Sequence, residues 1–216
     1  MIMFGLPDGT YFGKLVPKSK FYDKLAIDKK LERSFIDQIN SVRWLHKLSA
    51  DTLNADRGQT VEEVEVFLIK LKTSELDLNV LRQMDRQLHY HLIFILEYEE
   101  KYQLWTGYKE ESTNTAFKVG QYYHTDWVTE ENFSLRIDGL NMDTVYENLV
   151  RQIAGDMLVR ENGESLKDTV ERQAAREKIE KEIEKLRAKV RKEKQFNRQV
   201  ELNKHLKELK RELENL

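Results

Sequence analysis

Residues 92–96 read Leu-Ile-Phe-Ile-Leu, five consecutive apolar residues in a chain of 216 residues of which 34% are charged. An apolar run without alternation indicates a strand that is covered on both faces, as in the middle of a sheet. A second apolar stretch at 61–72 and an amphipathic stretch at 77–88 precede it. Strand, helix and strand in this order form a βαβ unit, whose two strands are parallel. The sequence therefore predicts an α/β fold with a mixed sheet and flanking helices.

Patterns on either side of this unit extend the predicted domain over residues 1–158. Alternating apolar residues at 42–48 predict a half-buried strand, and further strands are predicted at 102–108, 117–128 and 133–137. Asn141 or Asp143 can cap a last amphipathic helix, which Gly155 ends. The alternating positions of the first of these strands are Val42, Trp44, His46 and Leu48.

Two apolar seams with coiled-coil spacing follow Gly163, beyond which neither proline nor glycine occurs. The seams do not share a heptad register, so residues 159–216 are predicted to form one long helix, a coiled coil or a helical hairpin that turns near Phe196. Because so narrow a stripe needs a second helix, we expect it to bind a partner protein, with pairing of two copies as the alternative. The partner-binding seam consists of Leu202, Leu206, Leu209 and Leu213.

Charge is divided unevenly between these two parts. Residues 160–216 contain 17 Lys and Arg against 13 Asp and Glu, whereas residues 1–159 contain 19 against 25. Seven cations and a single acid lie between residues 185 and 198, and such clusters attract the phosphates of nucleic acid by displacing counterions. A solvated helix face, or a surface matched to an acidic protein, has the same pattern. The seven are Lys185, Arg187, Lys189, Arg191, Lys192, Lys194 and Arg198.

The sequence lacks the usual catalytic motifs. The absence of cysteine excludes disulfides, thiolate nucleophiles and cysteine-bound zinc, and there is no glycine-rich phosphate loop, Gly-x-Ser-x-Gly elbow or His-Glu-x-x-His. Restriction-type nucleases carry an acid, one spacer and a lysine on a central strand. The corresponding strand here offers Lys70-Leu71-Lys72, with its acids upstream at another offset. The sequence therefore favours a protein without catalytic activity and implies no cofactor.

Two pairs of polar residues remain as candidate metal ligands. His89 and His91 are two residues apart, as are His124 and Asp126, and such spacing on a strand places both side chains on one side. Structural histidines at strand ends are the alternative. A divergent metal-dependent nuclease would use Asp126, His124 and one of Glu63 or Glu65, because phosphodiester cleavage needs anionic ligands to hold the ion.

Several segments together resemble a bacterial and archaeal family known as domain of unknown function 4391. The resemblance covers nearly the whole chain and implies no residue roles. It implies a genetic context, since such proteins tend to be encoded beside a helicase and a DNA methyltransferase in restriction-like or phage-defence loci. The segments that carry it are 42–49, 67–72, 89–94, 122–127, 139–153 and 192–198.

These observations lead to one expected function and two alternatives. We expect an accessory subunit of a DNA-processing system of the restriction-modification or phage-defence type, which docks on a helicase or methyltransferase through its helical arm. The metal-dependent nuclease and a homodimer formed through the arm are the alternatives. No apolar run approaches the length of about 18 residues that a membrane span needs, so we also expect a soluble, cytoplasmic protein.

Overall fold

A computed structural model of the chain describes residues 4–22, 27–111, 117–159, 161 and 163–216. The chain divides into two compact units, Met1–Met157 and Leu158–Leu216. Within the described residues, each helix is either too short or too polar to cross a bilayer.

The first unit is built on a sheet of six strands whose spatial order follows the chain order. The strands are β1 (Tyr11–Val16), β2 (Ile39–Ser49), β3 (Glu63–Leu71), β4 (His91–Tyr98), β5 (Lys101–Glu111) and β6 (Phe117–His124). β3 and β4 are parallel, and the other neighbouring pairs are antiparallel. The predicted mixed sheet and its βαβ unit are therefore confirmed, with the apolar run of residues 92–96 in β4.

The described residues form six α-helices, which accompany the sheet or follow it. They are α1 (Lys29–Gln38), α2 (Ala50–Leu53), α3 (Leu78–Gln87), α4 (Met142–Ala154), α5 (Leu166–Lys192) and α6 (Phe196–Glu214). Short 3-10 helices occur at Asp8–Thr10, Lys18–Phe21, Glu130–Asn132 and Gly155–Met157. The side-chain oxygen of Asn141, one of the two predicted capping residues, caps the start of α4, and that of Asp77 caps the start of α3.

Helices cover both faces of the sheet. Phe35 of α1 and Met84 of α3 belong to one buried cluster with Phe67 of β3 and its register partner Phe94 of β4. His91, three residues before Phe94, faces the other way because side chains alternate along a strand, and its ring contacts Tyr146 of α4 at 4.3 Å. The sheet is therefore the middle layer of three.

β2 contains a bulge in the middle of its pairing with β3. Trp44 pairs with Phe67 and His46 pairs with Val66, so Leu45 is an extra residue between two consecutive pairs. The predicted alternation at 42–48 therefore reverses after Trp44. Residues beyond the bulge face the side opposite to the one that strict alternation predicts.

The strand predicted at 133–137 is wrong, because this extended segment joins no ladder. The side-chain amide of Gln152 on α4 forms hydrogen bonds with both backbone groups of Arg136. It accepts from the N–H at 2.7 Å and donates to the carbonyl at 2.9 Å. The N–H of Leu135 donates to the carbonyl of Phe4. A helix side chain thus supplies hydrogen bonds that a neighbouring strand would otherwise provide.

The second unit contains two antiparallel helices, not one long helix. α5 ends at Lys192 and α6 begins at Phe196, with three linker residues between them. Close to the linker Gln199 donates to the carbonyl of Val190, and far from it Arg176 donates to the carbonyl of Leu213. The helical hairpin, one of the predicted arrangements, is therefore the observed one.

Candidate functional site

Three charged side chains converge where β2 ends and β3 begins. Lys47 of β2 lies opposite Glu65 of β3, and its ammonium is 2.8 Å from Oε1 of Glu63. Glu63 and Glu65 are two residues apart on β3, so both project from the face that carries Phe67. We call Lys47, Glu63 and Glu65 the carboxylate–lysine cluster.

Burial dominates the electrostatics of this cluster. Glu65 is only 2% exposed, and neither of its carboxylate oxygens has a hydrogen-bond partner among the described residues. Burial, followed by the nearby carboxylate of Glu63, raises the pKa of Glu65 to about 8. The hydrogen bond to Glu63 raises the pKa of Lys47, which keeps this lysine charged. At neutral pH the cluster therefore holds one ion pair and one carboxyl group whose ionised form is disfavoured.

Glu63 also lines a cavity of about 410 Å³ at this end of the sheet. Its walls come from the end of β2, from the loop that leads into β3 and from the start of β4. The lining residues are Ser49, Ala50, Asp51, Arg57, Gly58, Gln59, Thr60, Val61, Glu62, Glu63, His89, Tyr90 and His91. Most of these residues carry polar groups, so the cavity suits a polar or charged ligand.

The loop that forms one wall of the cavity is held by Asp143 at the start of α4. The carboxylate of Asp143 accepts hydrogen bonds from the backbone N–H groups of Gln59, Thr60 and Val61 and from the hydroxyl of Thr60, at 2.6 to 3.0 Å. Burial alone would raise the pKa of Asp143, but these hydrogen bonds outweigh it and lower the pKa. Gly58 leaves room for this contact, because a Cβ there would lie 2.6 Å from Oδ1 of Asp143.

The predicted metal ligands do not come together. His89 is exposed in the turn before β4, whereas His91 is buried against Tyr146, although both line the cavity. His124 stacks on Trp105 with ring centroids 4.2 Å apart, and Asp126 is exposed. Across the part of the chain that the structure describes, no three His, Cys, Asp or Glu side chains are placed to hold a metal ion. The set of His124, Asp126 and one glutamate of β3 is therefore not assembled.

Burial and nearby charges also set the state of His91. Burial, and next the charge of Lys109, lower the pKa of His91 to about 4. Lys109 itself is fully buried and forms an ion pair with Asp85 at 3.0 Å, while Asp85 also accepts a hydrogen bond from the hydroxyl of Tyr122. The Lys109 ammonium also donates to the backbone carbonyls that follow α3, so this buried group ties the end of a helix to the sheet.

The basic segment forms the turn of the helical hairpin. It spans the last turns of α5, the linker and the first residues of α6, and all seven of its cations are exposed. The salt bridges found among the described residues include none of these seven. Phe196 lies among them and is 76% exposed. We call residues 185–198 the basic tip.

The predicted partner-binding seam lies against α5 of the same chain. Leu209 is buried in a cluster with Ile179, Ile183 and Leu186 of α5. The other three seam leucines pack against this cluster and are partly buried; they are Leu202, Leu206 and Leu213. The second helix that this narrow stripe requires is thus present within the chain.

Sequence reasoning did not find Lys47 as a site residue. Strict alternation along β2 assigns Lys47 to the face opposite the one it occupies, because the bulge at Leu45 reverses the alternation. A bulge has no reliable sequence signature, and only the spacing Glu63-x-Glu65, with its two acids on one face of a buried strand, pointed to this place.

The comparisons with known proteins give a single family. A family model described as a domain of unknown function, DUF4391, matches residues 4–213. No curated protein and no solved structure matches the chain significantly.

Proposed function

The chain belongs to the DUF4391 family, whose description names no activity, and from this premise we propose that it is an accessory subunit of a DNA-processing system. In this proposal the helical hairpin docks on a helicase or DNA methyltransferase and brings its basic tip to the DNA that the partner holds. The genetic context implied by the family resemblance supports such a partner.

The observation that carries the proposal is the exposed basic tip. Seven cations are concentrated at one end of the hairpin, where ion pairs with acids of the described chain do not neutralise them. DNA carries one negative charge per roughly 1.7 Å of helix axis, so a compact cluster of cations can contact several phosphates at once. The exposed ring of Phe196 adds an apolar surface on which an unpaired base can stack.

A matched pair of variants tests the role of the basic tip. Changing Arg191, Lys192 and Lys194 to Gln removes three charges from the tip. Changing Lys207, Lys210 and Arg211 to Gln removes three exposed charges from the other end of α6. We expect only the tip variant to weaken binding to a DNA duplex in fluorescence anisotropy, and to reduce the slope of log affinity against log salt by up to about 3.

Co-purification tests the partner. Full-length protein co-expressed with the neighbouring helicase and methyltransferase should co-purify with one of them, and the tip variant should still do so if the body of the hairpin makes the contact. Failure of the wild-type protein to bind either neighbour would refute the accessory role. Equal loss of DNA binding in both charge variants would refute the tip as its DNA-binding part.

One observation favours a second candidate function, metal-dependent cleavage of phosphodiester bonds. Lys47 lies against Glu63 and beside Glu65, so two carboxylates and a lysine share one end of the central strands. Cleavage of DNA in Mg²⁺ or Mn²⁺ that Glu65→Gln abolishes and Asp126→Ala leaves intact would support it. Self-association through the hairpin, the remaining alternative, would double the molar mass measured by light scattering.

A further inference from the structure

Glu65 has an environment that a carboxylate rarely occupies. It is 2% exposed, and both of its oxygens lack a hydrogen-bond donor among the described residues. A carboxylate excluded from both water and donors is stable only when it is protonated or lies against a cation. The one described cation beside it, Lys47, is directed to Oε1 of Glu63 at 2.8 Å.

The neighbouring Glu63 also has a carboxylate oxygen without a hydrogen-bond donor among the described residues. Oε2 of Glu63 is buried and also has no partner in the described residues. Three of the four carboxylate oxygens on this face of β3 are therefore buried without a donor, and Lys47 satisfies the fourth. Glu63 lines the cavity and Glu65, which does not, lies two residues further along the same face of β3.

Another buried acid of the same unit, Asp85, provides a comparison: its Oδ1 also has no hydrogen bond among the described residues, but it lies against a buried cation. Asp85 is also 2% exposed, but the ammonium of Lys109 lies 3.0 Å from its Oδ1 and the hydroxyl of Tyr122 donates to its Oδ2. The chain therefore supplies a buried cation and a donor where an acid has a purely structural role. Glu65 has no ion pair of this kind among the described residues; the side chains that act on its pKa are those of Glu63, Trp44 and Lys47.

We infer that Glu63 and Glu65 bind a divalent cation of the Mg²⁺ or Mn²⁺ type beside the cavity. Such ions prefer oxygen ligands, and Mg²⁺ commonly uses only one or two carboxylates while it keeps several waters. This mode of binding fits a place where the described residues offer no third His, Cys, Asp or Glu ligand. The site goes beyond the accessory role, does not depend on it and does not require DNA cleavage.

Lys47 has a positioning role in this site. Its ammonium holds Oε1 of Glu63, which leaves Oε2 directed away from the ion pair and available to the ion. A lysine next to a bound cation also favours an anionic ligand, such as a phosphate, as the group that completes the coordination. The predicted ligand of the ion on the cavity side is therefore an anion or water.

Binding of Mn²⁺ to the full-length protein tests the inference. Electron paramagnetic resonance counts free Mn²⁺ during a titration, and we expect one ion to bind per chain. Glu65→Gln and Glu63→Gln should each weaken the affinity roughly tenfold or more, because each removes one of the two carboxyl groups that bind the ion. Both variants keep the size of the side chain, and circular dichroism should show that both fold.

Glu97 provides the matched control. It forms an ion pair with Lys70 at 2.8 Å near the other end of the same two parallel strands, so Glu97→Gln removes an equivalent carboxylate–lysine contact. This variant should bind Mn²⁺ like the wild type, and so should the tip variant with Arg191, Lys192 and Lys194 changed to Gln. No binding by the wild type would overturn the inference, as would equal affinity in Glu65→Gln and Glu97→Gln. If Glu65→Gln fails to fold, Glu63→Gln decides the question.

Discussion

His46 and His91 are imidazoles enclosed within the first unit, and burial is the main reason why each has a pKa lowered to about 4. His46 is fully buried, and its Nδ1 lies 2.8 Å from the hydroxyl oxygen of Thr10. In the unfolded chain a histidine has a pKa near 6.5. Between this value and pH 4 the unfolded chain therefore binds protons at these two histidines and the folded chain does not. Protonation of both histidines therefore opposes folding in acid. Above about pH 7 both are neutral in the folded and the unfolded chain, so their titration no longer changes the stability.

We predict that the titration of His46 and His91 lowers the free energy of unfolding as the pH falls from 6.5 to 4, whereas protonation of Glu65, whose pKa burial raises to about 8, acts in the opposite direction as the pH falls below 8. The contribution of His46 falls by about 2 kcal/mol between pH 6.5 and pH 5, since one pKa unit corresponds to about 1.4 kcal/mol. Urea unfolding of the wild type and of His46→Asn at pH 7 and pH 5 separates this contribution from that of Glu65. On going from pH 7 to pH 5, His46→Asn, which keeps a polar atom near the position of Nδ1, should lose less stability than the wild type, or gain more, by that amount.

The control for this prediction is His205→Asn on α6, because the side chain of His205 is about half exposed. This change should leave the difference in stability between the two pH values unaltered. If the free energy of unfolding of His46→Asn changed between pH 7 and pH 5 as it does in the wild type, His46 would not contribute to the acid sensitivity.

At the scale of elements, Asp143 links the start of α4 to the loop that borders the cavity. Its carboxylate accepts four hydrogen bonds from residues 59–61. We predict that Asp143→Ala lowers the free energy of unfolding by about 2–3 kcal/mol, because three backbone N–H groups lose an ionised acceptor. Hydrogen exchange should show faster exchange at residues 59–61 than in the wild type.

Asp138, an exposed acid just before the same helix, is the control for this change. Asp138→Ala removes one negative charge from the same region without removing a described side-chain contact of the loop, so it should change stability by less than about 0.5 kcal/mol. Equal effects of the two variants would mean that general charge, and not the hydrogen bonds of Asp143, stabilises the loop.

The sequence predicted the elements that depend on local sequence patterns. It missed features that depend on contacts between distant segments. The apolar run at 92–96 and the helix before it favour a parallel pair, because parallel strands need a long crossover and a helix usually supplies it. The bulge at Leu45 follows from how β2 fits on β3, so the position of Lys47 was not predictable. The extended segment around Arg136 had a strand pattern, but Gln152 replaced its strand partner.

The same distinction applies to the candidate site and to the hairpin. One of Glu63 or Glu65 was a candidate from the sequence because a bound metal ion needs anionic ligands, and His124 and Asp126 were candidates because of their spacing. Spacing within one strand does not show which residues of other strands lie near it. The seam at 202–213 correctly predicted a need for a second helix, but the periodicity could not say that α5 would supply it.

At the scale of the whole molecule, the two units differ in how much apolar surface holds them together. The first unit has a large buried cluster on one face of its sheet, whereas four buried apolar residues and a row of partly buried leucines join the two helices of the hairpin. Local opening is less costly where fewer apolar contacts are lost. The backbone amides of α6 should therefore exchange with solvent faster than those of β3 and β4.

Native-state hydrogen exchange followed by mass spectrometry tests this difference, and one change in each unit makes the test specific. Leu209→Ala removes the buried leucine of α6 and should cost about 2 kcal/mol, which corresponds to roughly 30-fold faster exchange in α5 and α6. Phe94→Leu should accelerate exchange in β3 and β4 instead, because it leaves a space in the core of the sheet. If each variant accelerated both units equally, the units would open together, and the hairpin would not be the weaker of two separate cooperative parts.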